Sequence, residues 1–247
     1  MQKRFEALTG IRAVAAIMVF LYHNKKYWRD WLPEMVIRNL NEFNAGVSIF
    51  FVLSGFLIAY TYQQKPLDSS KSYLQYLLTR FARIYPIFFI LLTIQFLDYG
   101  FPKEGVNIWY DYSLIKGFSD VFNLDGIPQS WSLTVELSFY ILAPFITYLL
   151  FKNKWLALAI LTLLCCLVIG IGYWCKYING NSNRWLYNWW FVMDGSFFGR
   201  FFEFYVGMYL AKLLLANADS TTPLSKLPKT WIGFVGTFVV IYCISFF

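Results

Sequence analysis

The stretch 155-WLALAILTLLCCLVIGIGYWC-175 carries no charged residue from end to end. A helix needs about 20 mainly apolar residues to cross the hydrocarbon of a bilayer, and this run supplies them. Working outward from it, the segments 7–23, 45–62, 84–98, 131–151, 197–216 and 230–247 read the same way. The first is the shortest in unbroken apolar character, from Ala13 to Tyr22, and Lys3 and Arg4 precede it as in a signal peptide. No small-x-small cleavage site follows, and the next residues are Asn24-Lys25-Lys26, so it reads as an uncleaved span. The segment 106–118 has Trp109, Tyr110, Leu114 and Ile115, but Asp111 and Lys116 interrupt it. It is expected to be interfacial or re-entrant, and a full crossing there would invert the later topology. The expected fold is all-α, a multi-pass transmembrane helical bundle of about seven to eight spans.

Composition agrees. The 247 residues are 58% hydrophobic and only 14% charged, against roughly a quarter charged in soluble domains. That excludes an ordinary globular enzyme. Only helices or closed barrels satisfy their backbone polar groups in lipid. The 26 Phe, 18 Tyr and 10 Trp include many rings suited to the membrane–water interface. The net charge of +7 would suggest nucleic acid in a soluble protein, but the basic residues are spread through loops and form no tract. They are expected to set topology, with no nucleic-acid partner, although anionic headgroups or a ligand phosphate can use part of them. With the N-terminus inside, the inner loops hold Lys3, Arg4, Lys65, Lys71, Arg80, Arg83, Lys152, Lys154, Lys212, Lys226 and Lys229, more than the outer loops hold.

Cys165, Cys166, Cys175 and Cys243 form no Cys-x-x-Cys pair, and the single histidine cannot complete a usual zinc set with them. They read as inert lipid-facing or core residues, and no metal is expected. The one clear soluble linker is 217–230, with Pro223 and Pro228.

Ionisable residues inside a membrane are costly and mark candidate sites. Arg12 and His23 lie eleven residues apart on the first span, roughly 20° apart around a helix and about 16 Å along it. An imidazole takes a proton from a hydroxyl near neutral pH, so His23 is the natural general base. The alternative is an interfacial histidine with Arg12 snorkelling to the headgroups. In the run from Gly46 to Ile58, Gly46, Ser54 and Gly55 permit close helix approach, and Ser48 and Ser54 can donate hydrogen bonds. Arg80 and Arg83 share a helix face just before Ile84-Tyr85-Pro86. They suit either a bidentate phosphate clamp or topological anchoring. In Ser130-Trp131-Ser132-Leu133-Thr134-Val135-Glu136, the last residue is a carboxylate in an apolar stretch, four residues after Ser132. It needs a partner or a proton. It can orient His23, stabilise its imidazolium, bond an acceptor hydroxyl, or form a structural hydrogen bond. Arg200 and Glu203 are spaced as a mutual ion pair.

Taken together, these segments resemble the acyltransferase-3 family. Leu8-Thr9-Gly10-Ile11-Arg12 through Tyr22-His23 is similar to its first span with the Arg-x10-His motif, and Gly46–Ile58 to its second. Arg80-x-x-Arg83 before Ile84-Tyr85-Pro86 resembles its third. Trp131-Ser132-Leu133-x-Val135-Glu136-x-x-Phe139-Tyr140 resembles its tryptophan–serine–glutamate segment, and Arg200-x-x-Glu203-Phe204-x-x-Gly207 a later span. Ser48 stands where the family often has an acidic residue, and Thr9 replaces a common Asp. The resemblance covers nearly all of 1–247 as a single membrane-embedded acyltransferase domain. The family usually has about ten spans, so the chain is expected to lack its C-terminal helices.

The resemblance implies acyl-CoA (acetyl-CoA) as donor substrate with no permanently bound cofactor, and a sugar or other cell-envelope glycan hydroxyl as acceptor. It implies His23 as the essential catalytic residue supported by Arg12, Arg80 and Arg83 on the CoA phosphates, and Glu136 as a further site residue. Trp131 and Ser132 are expected at the substrate, and Arg200 and Glu203 as structural. Direct transfer and a transient acyl-histidine both remain open. A bacterial inner membrane, with membrane lipid around the chain, is the implied location. Two other classes stay open: a transporter or flippase for lipid-linked sugars, and a truncated inactive membrane protein.

Overall fold

A computed structural model describes residues 6–64, 69–100, 105–179, 186 and 189–216. The described residues form helices and no strand: α1 (Glu6–Asn24), α2 (Glu34–Glu42), α3 (Ala45–Gln64), α4 (Ser70–Tyr99), α5 (Gly105–Ser113), α6 (Trp131–Lys152), α7 (Lys154–Asn179), α8 (Trp189–Gly195) and α9 (Phe197–Ala216). Six of these carry the expected spans, while the expected span 230–247 and the linker 217–230 lie outside the described residues. By length and composition, Glu34–Gln63, Ser70–Tyr99, Pro128–Lys152 and Lys154–Trp174 are long and apolar enough to cross a membrane. At 19 and 20 residues, α1 and α9 are also long enough, and they carry Arg12 and Arg200. The 9 residues of α5 fall well short of the roughly 20 a crossing needs, in keeping with an interfacial or re-entrant segment.

The chain divides into two compact units, one made of the chain to Ser54 together with the chain from Leu213 on, and the other comprising Gly55–Lys212. In the first, α1 buries Ala15 and Met18, and α2 buries Ile37 and Leu40. Gly46 lets the start of α3 press against α1: a Cβ there would stand 2.7 Å from the Ala15 carbonyl oxygen and 2.9 Å from Val19 Cγ2.

In the second unit α6 is the central element, burying Val135, Phe139, Tyr140, Ala143, Ile146 and Leu150. Phe88, Leu92 and Phe96 of α4 form a cluster with Leu114, against which Leu133 and Leu137 of α6 pack. Another part of α6 meets α9, where Phe139 stacks on Phe204 with centroids 3.9 Å apart. Gly55 of α3 lies against the Phe204 backbone, and a Cβ there would run into that carbonyl. Gly46 and Gly55 therefore serve packing, as their size implied.

Local chemistry fixes the helix ends. Asn153 Oδ1 accepts from the backbone N–H groups of Trp155 (3.0 Å) and Leu156 (3.2 Å), capping α7. Lys212 Nζ donates to the Leu150 carbonyl at 2.8 Å, placing a cation at the negative end of α6. Outward-facing apolar residues such as Ile90, Leu163 and Ile171 are at least half exposed, as lipid-facing positions are.

One expectation is corrected. The sequence reading put Arg80 and Arg83 in an inner loop before a span at 84–98, but the helix starts at Ser70, behind a reciprocal Ser69–Ser72 capping box. It then runs through Pro86 without ending. Proline is tolerated inside membrane helices because neighbouring groups re-satisfy the backbone. Both arginines therefore sit within a 30-residue helix.

The connector between α5 and α6 is unusually ordered. Lys116 and Asp111 form an ion pair at 3.0 Å, with side chains 0% and 2% exposed. Lys116 also donates to the Asp125 carbonyl. Thr134 Oγ1 donates to the Leu114 carbonyl at 2.5 Å, and Gln95 Nε2 donates to the Gly126 carbonyl at 2.6 Å. Gly126 has φ +56°, a conformation that glycine adopts without steric cost.

Candidate active site

Arg12 and His23 occupy the same helix, α1, so the shared face expected from their spacing holds. Both are half-buried, and His23 falls in the last turn. The Tyr22 ring stands edge-on to the imidazole at 5.0 Å. Lys25, one residue past the helix, lies 3.9 Å over the other partner of that contact, the Tyr22 ring. Burial, and then the charge of Arg29, push the Lys25 ammonium below its ordinary value.

Arg12 and His23 belong to the first unit. The other five candidates belong to the second. Arg80 is half-buried on α4, and Arg83, one turn on, is exposed. The Arg80 guanidinium carbon lies 5.7 Å from the Tyr76 ring centre and 5.6 Å from that of Tyr140 on α6. Tyr140, in turn, donates its phenolic hydrogen to Glu136 Oε1. One tyrosine thus joins two of the candidates. The register is pinned next door, where Tyr73 of α4 donates to the Ile141 carbonyl at 2.9 Å. The Tyr76 hydroxyl is buried and has no hydrogen-bond partner among the described residues.

Trp131 and Ser132 open α6. The Ser132 hydroxyl donates to the Gln129 carbonyl at 2.9 Å, tying it to its own turn. Its oxygen keeps acceptor capacity. Trp131 faces α9: the Arg200 guanidinium carbon is 5.9 Å from its ring centre. Arg200 pairs with Glu203 at 2.9 Å and donates from Nε to the Asp194 carbonyl at 2.9 Å. The expected Arg200–Glu203 ion pair is present.

Sequence reasoning missed Tyr76, and quoted Tyr140 as the end of the Trp131–Tyr140 segment without giving it a role. The available signal was spacing, since Tyr140 is four residues after Glu136 and Tyr76 four before Arg80, so each shares a helix face with its partner. It also treated Asp111 and Lys116 only as interruptions, although an opposite-charge pair five residues apart in an apolar segment is a candidate internal partner.

Comparison with known proteins places these motifs. The acyltransferase-3 family model, described as an acyltransferase domain, matches residues 5–247. The chain belongs to the acyltransferase-3 family. Among its curated relatives, the acyltransferase MdmB of Streptomyces mycarofaciens is 27% identical, over 57% of this chain and 38% of that protein. The peptidoglycan O-acetyltransferase OatA of Listeria monocytogenes is 28% identical, over 69% of this chain and 28% of its own length. Protein 2 in the picA locus of Rhizobium radiobacter is 26% identical, over 58% of this chain and 74% of that protein. The chain thus spans well under half the length of the first two. No solved structure matches. As an acyltransferase-3 chain with several apolar helices of crossing length, it is a multi-pass membrane protein.

Proposed function

We propose that this acyltransferase-3 chain transfers an acyl group, acetyl in the first instance, from acyl-CoA to a hydroxyl of a cell-envelope glycan. The observation that carries the donor half is the state of Arg80. Its guanidinium faces two tyrosine rings and pairs with no carboxylate among the described residues. A cation kept by aromatic faces retains its charge and its N–H edges for an anion, and a guanidinium fork suits phosphate. Arg83, exposed one turn away, supplies a second cation. Support for a glycan acceptor comes from the relatives whose names state O-acetylation, one of them of peptidoglycan.

In this reading His23 takes the proton from the acceptor hydroxyl as its oxygen attacks the thioester carbonyl carbon. The carbon–sulfur bond breaks and the departing CoA sulfur recovers the proton from the imidazolium. The stepwise variant forms an acyl-imidazole first and passes the acyl group on to the hydroxyl, with the same overall balance. Arg12 supports His23 from the same helix, Glu136 is a further site residue, and Trp131 and Ser132 contact substrate.

The test uses membranes carrying the chain, given radiolabelled acetyl-CoA and an envelope glycan fraction, beside His23→Ala at matched expression. Label reaching glycan with the parent and falling by about a hundredfold or more in the variant, the usual scale for losing an acid–base group, is the expected result. Equal label in both would remove His23 as the catalyst. Acyl label on the protein before acceptor is added selects the stepwise route.

A further inference from the structure

Tyr140 makes two different contacts with two different candidate residues. Its ring face lies against the Arg80 guanidinium, 5.6 Å from ring centre to the guanidinium carbon. Its hydroxyl donates to Glu136. The residue is 4% exposed, so neither contact is a surface accident of a mobile side chain. The backbone beside it is tied down, because the Ile141 carbonyl accepts from Tyr73 of α4. That bond fixes the register of α6 against the part of α4 that carries Arg80.

The two contacts differ in kind. An aromatic face attracts a cation through its quadrupole and does not neutralise it. A phenol bonded to a carboxylate is a charge-assisted hydrogen bond, among the stronger kinds in proteins. One side chain therefore aims the guanidinium with its ring while its hydroxyl holds the carboxylate oxygen in place. A carboxylate inside an apolar helix stretch without a donor is costly, and Tyr140 supplies that donor from the same helix face, four residues on. The second ring at Arg80, Tyr76, carries a buried hydroxyl with no partner among the described residues.

We propose that Tyr140 is a positioning residue that links the donor anchor Arg80 to Glu136, its ring aiming the guanidinium and its hydroxyl holding the carboxylate. The inference rests on the acyl-CoA reading given above for Arg80. It predicts a separation of effects. Tyr140→Phe keeps the ring and loses the hydroxyl. Tyr140→Leu loses both.

The experiment measures acetyl transfer and, separately, CoA binding by calorimetry on detergent-solubilised protein. For Tyr140→Phe the expected result is kcat lowered about tenfold, with KM for acetyl-CoA and CoA affinity within about twofold of the parent. For Tyr140→Leu, CoA affinity falls about tenfold as well. The variant Glu136→Gln and the double variant Tyr140→Phe/Glu136→Gln complete a cycle, and the double variant is expected to be no slower than the slower single one. A purely structural tyrosine would give additive losses, and would lower the melting temperature of Tyr140→Phe in step with kcat. Additive losses, or a Tyr140→Phe enzyme with the parent's kcat, overturn the link while the parent's own activity leaves the acyl-CoA reading intact. A parent that binds CoA but transfers no acetyl group refutes the transfer reading alone, and the affinity series then judges the ring contact. A parent that does not bind CoA removes Arg80 as donor anchor, and the inference with it.

Discussion

At the scale of single residues, Arg80 and Gly55 make the sharpest statements. Lysine at position 80 keeps the charge but loses the planar fork and the ring-stacking surface. Arg80→Lys is expected to raise KM for acetyl-CoA about tenfold with a smaller change in kcat, measured by initial rates across donor concentration. An unchanged KM would mean that the guanidinium is not a donor contact. Gly55→Val forces a branched side chain into the Phe204 backbone, and overpacking of this kind costs about 1–3 kcal/mol. A lowered melting temperature in detergent is the expected reading, while Gly170→Val, whose added Cβ meets nothing within 4 Å, serves as the comparison. The types of the candidate residues were legible in the chain because ionisable groups in apolar runs stand out by their cost. The role of Tyr140 was not: the residue was legible as part of the Trp131–Tyr140 segment and, by spacing, as a neighbour of Glu136, but a neutral phenol carries no such cost. The packing of α4 on α6 adds its contact with Arg80.

At the scale of elements, the connector between α5 and α6 behaves as a folded piece. Its Asp111–Lys116 pair is almost fully buried, and breaking a buried pair by removing one partner costs about 3–5 kcal/mol. Burial pushes the Asp111 carboxyl up from its ordinary value, with Lys116 pulling back, and pushes the Lys116 ammonium down, with Asp111 pulling back. The pH signs follow by linkage. Asp111→Asn leaves a buried ammonium whose folded form releases its proton more readily than the unfolded chain. Its stability deficit against the parent therefore shrinks as pH rises above neutral. Lys116→Met leaves a buried carboxyl that binds its proton more tightly when folded, and its deficit shrinks as pH falls toward the ordinary carboxylate range. Thermal scans across pH check both slopes, and parallel slopes in the two variants would contradict the pairing. The limits of α3, α6 and α9 were legible from hydropathy alone. The N-terminal half of α4 was not: the expected span begins at 84, with Lys71 and Arg80 counted among the loop cations, whereas the helix starts at Ser70 and Tyr73 and Arg80 make contacts with α6.

At the scale of the whole molecule, the connections define sides. In the second unit α4 begins at Ser70 and ends at Tyr99, and α6 begins at Trp131 and ends at Lys152. Two successive crossings place residues 69 and 153 on one side and the 114–130 connector on the other. In a background with Cys165, Cys166, Cys175 and Cys243 replaced, single cysteines at Ser69 and Asn153 are expected to react with an impermeant thiol reagent from the same face. Val121→Cys, exposed in the connector, is expected to react from the opposite one. Labelling of position 121 together with position 69 would overturn this arrangement. The alternation follows from hydropathy, so this level of organisation was almost wholly legible in the sequence. The order inside the 114–130 connector was not, since it depends on a left-handed Leu114 (φ 61°) and Gly126 (φ 56°) that no periodic pattern announces.

His23 is the one imidazole of the chain, half-buried in the closing turn of α1. Isotope-labelled histidine would therefore give a spectrum with a single ring signal, needing no assignment, in protein purified through an affinity handle other than polyhistidine. That resonance reports tautomer and protonation directly, and a shift on titrating in donor or acceptor would register substrate arrival at the proposed base without any turnover.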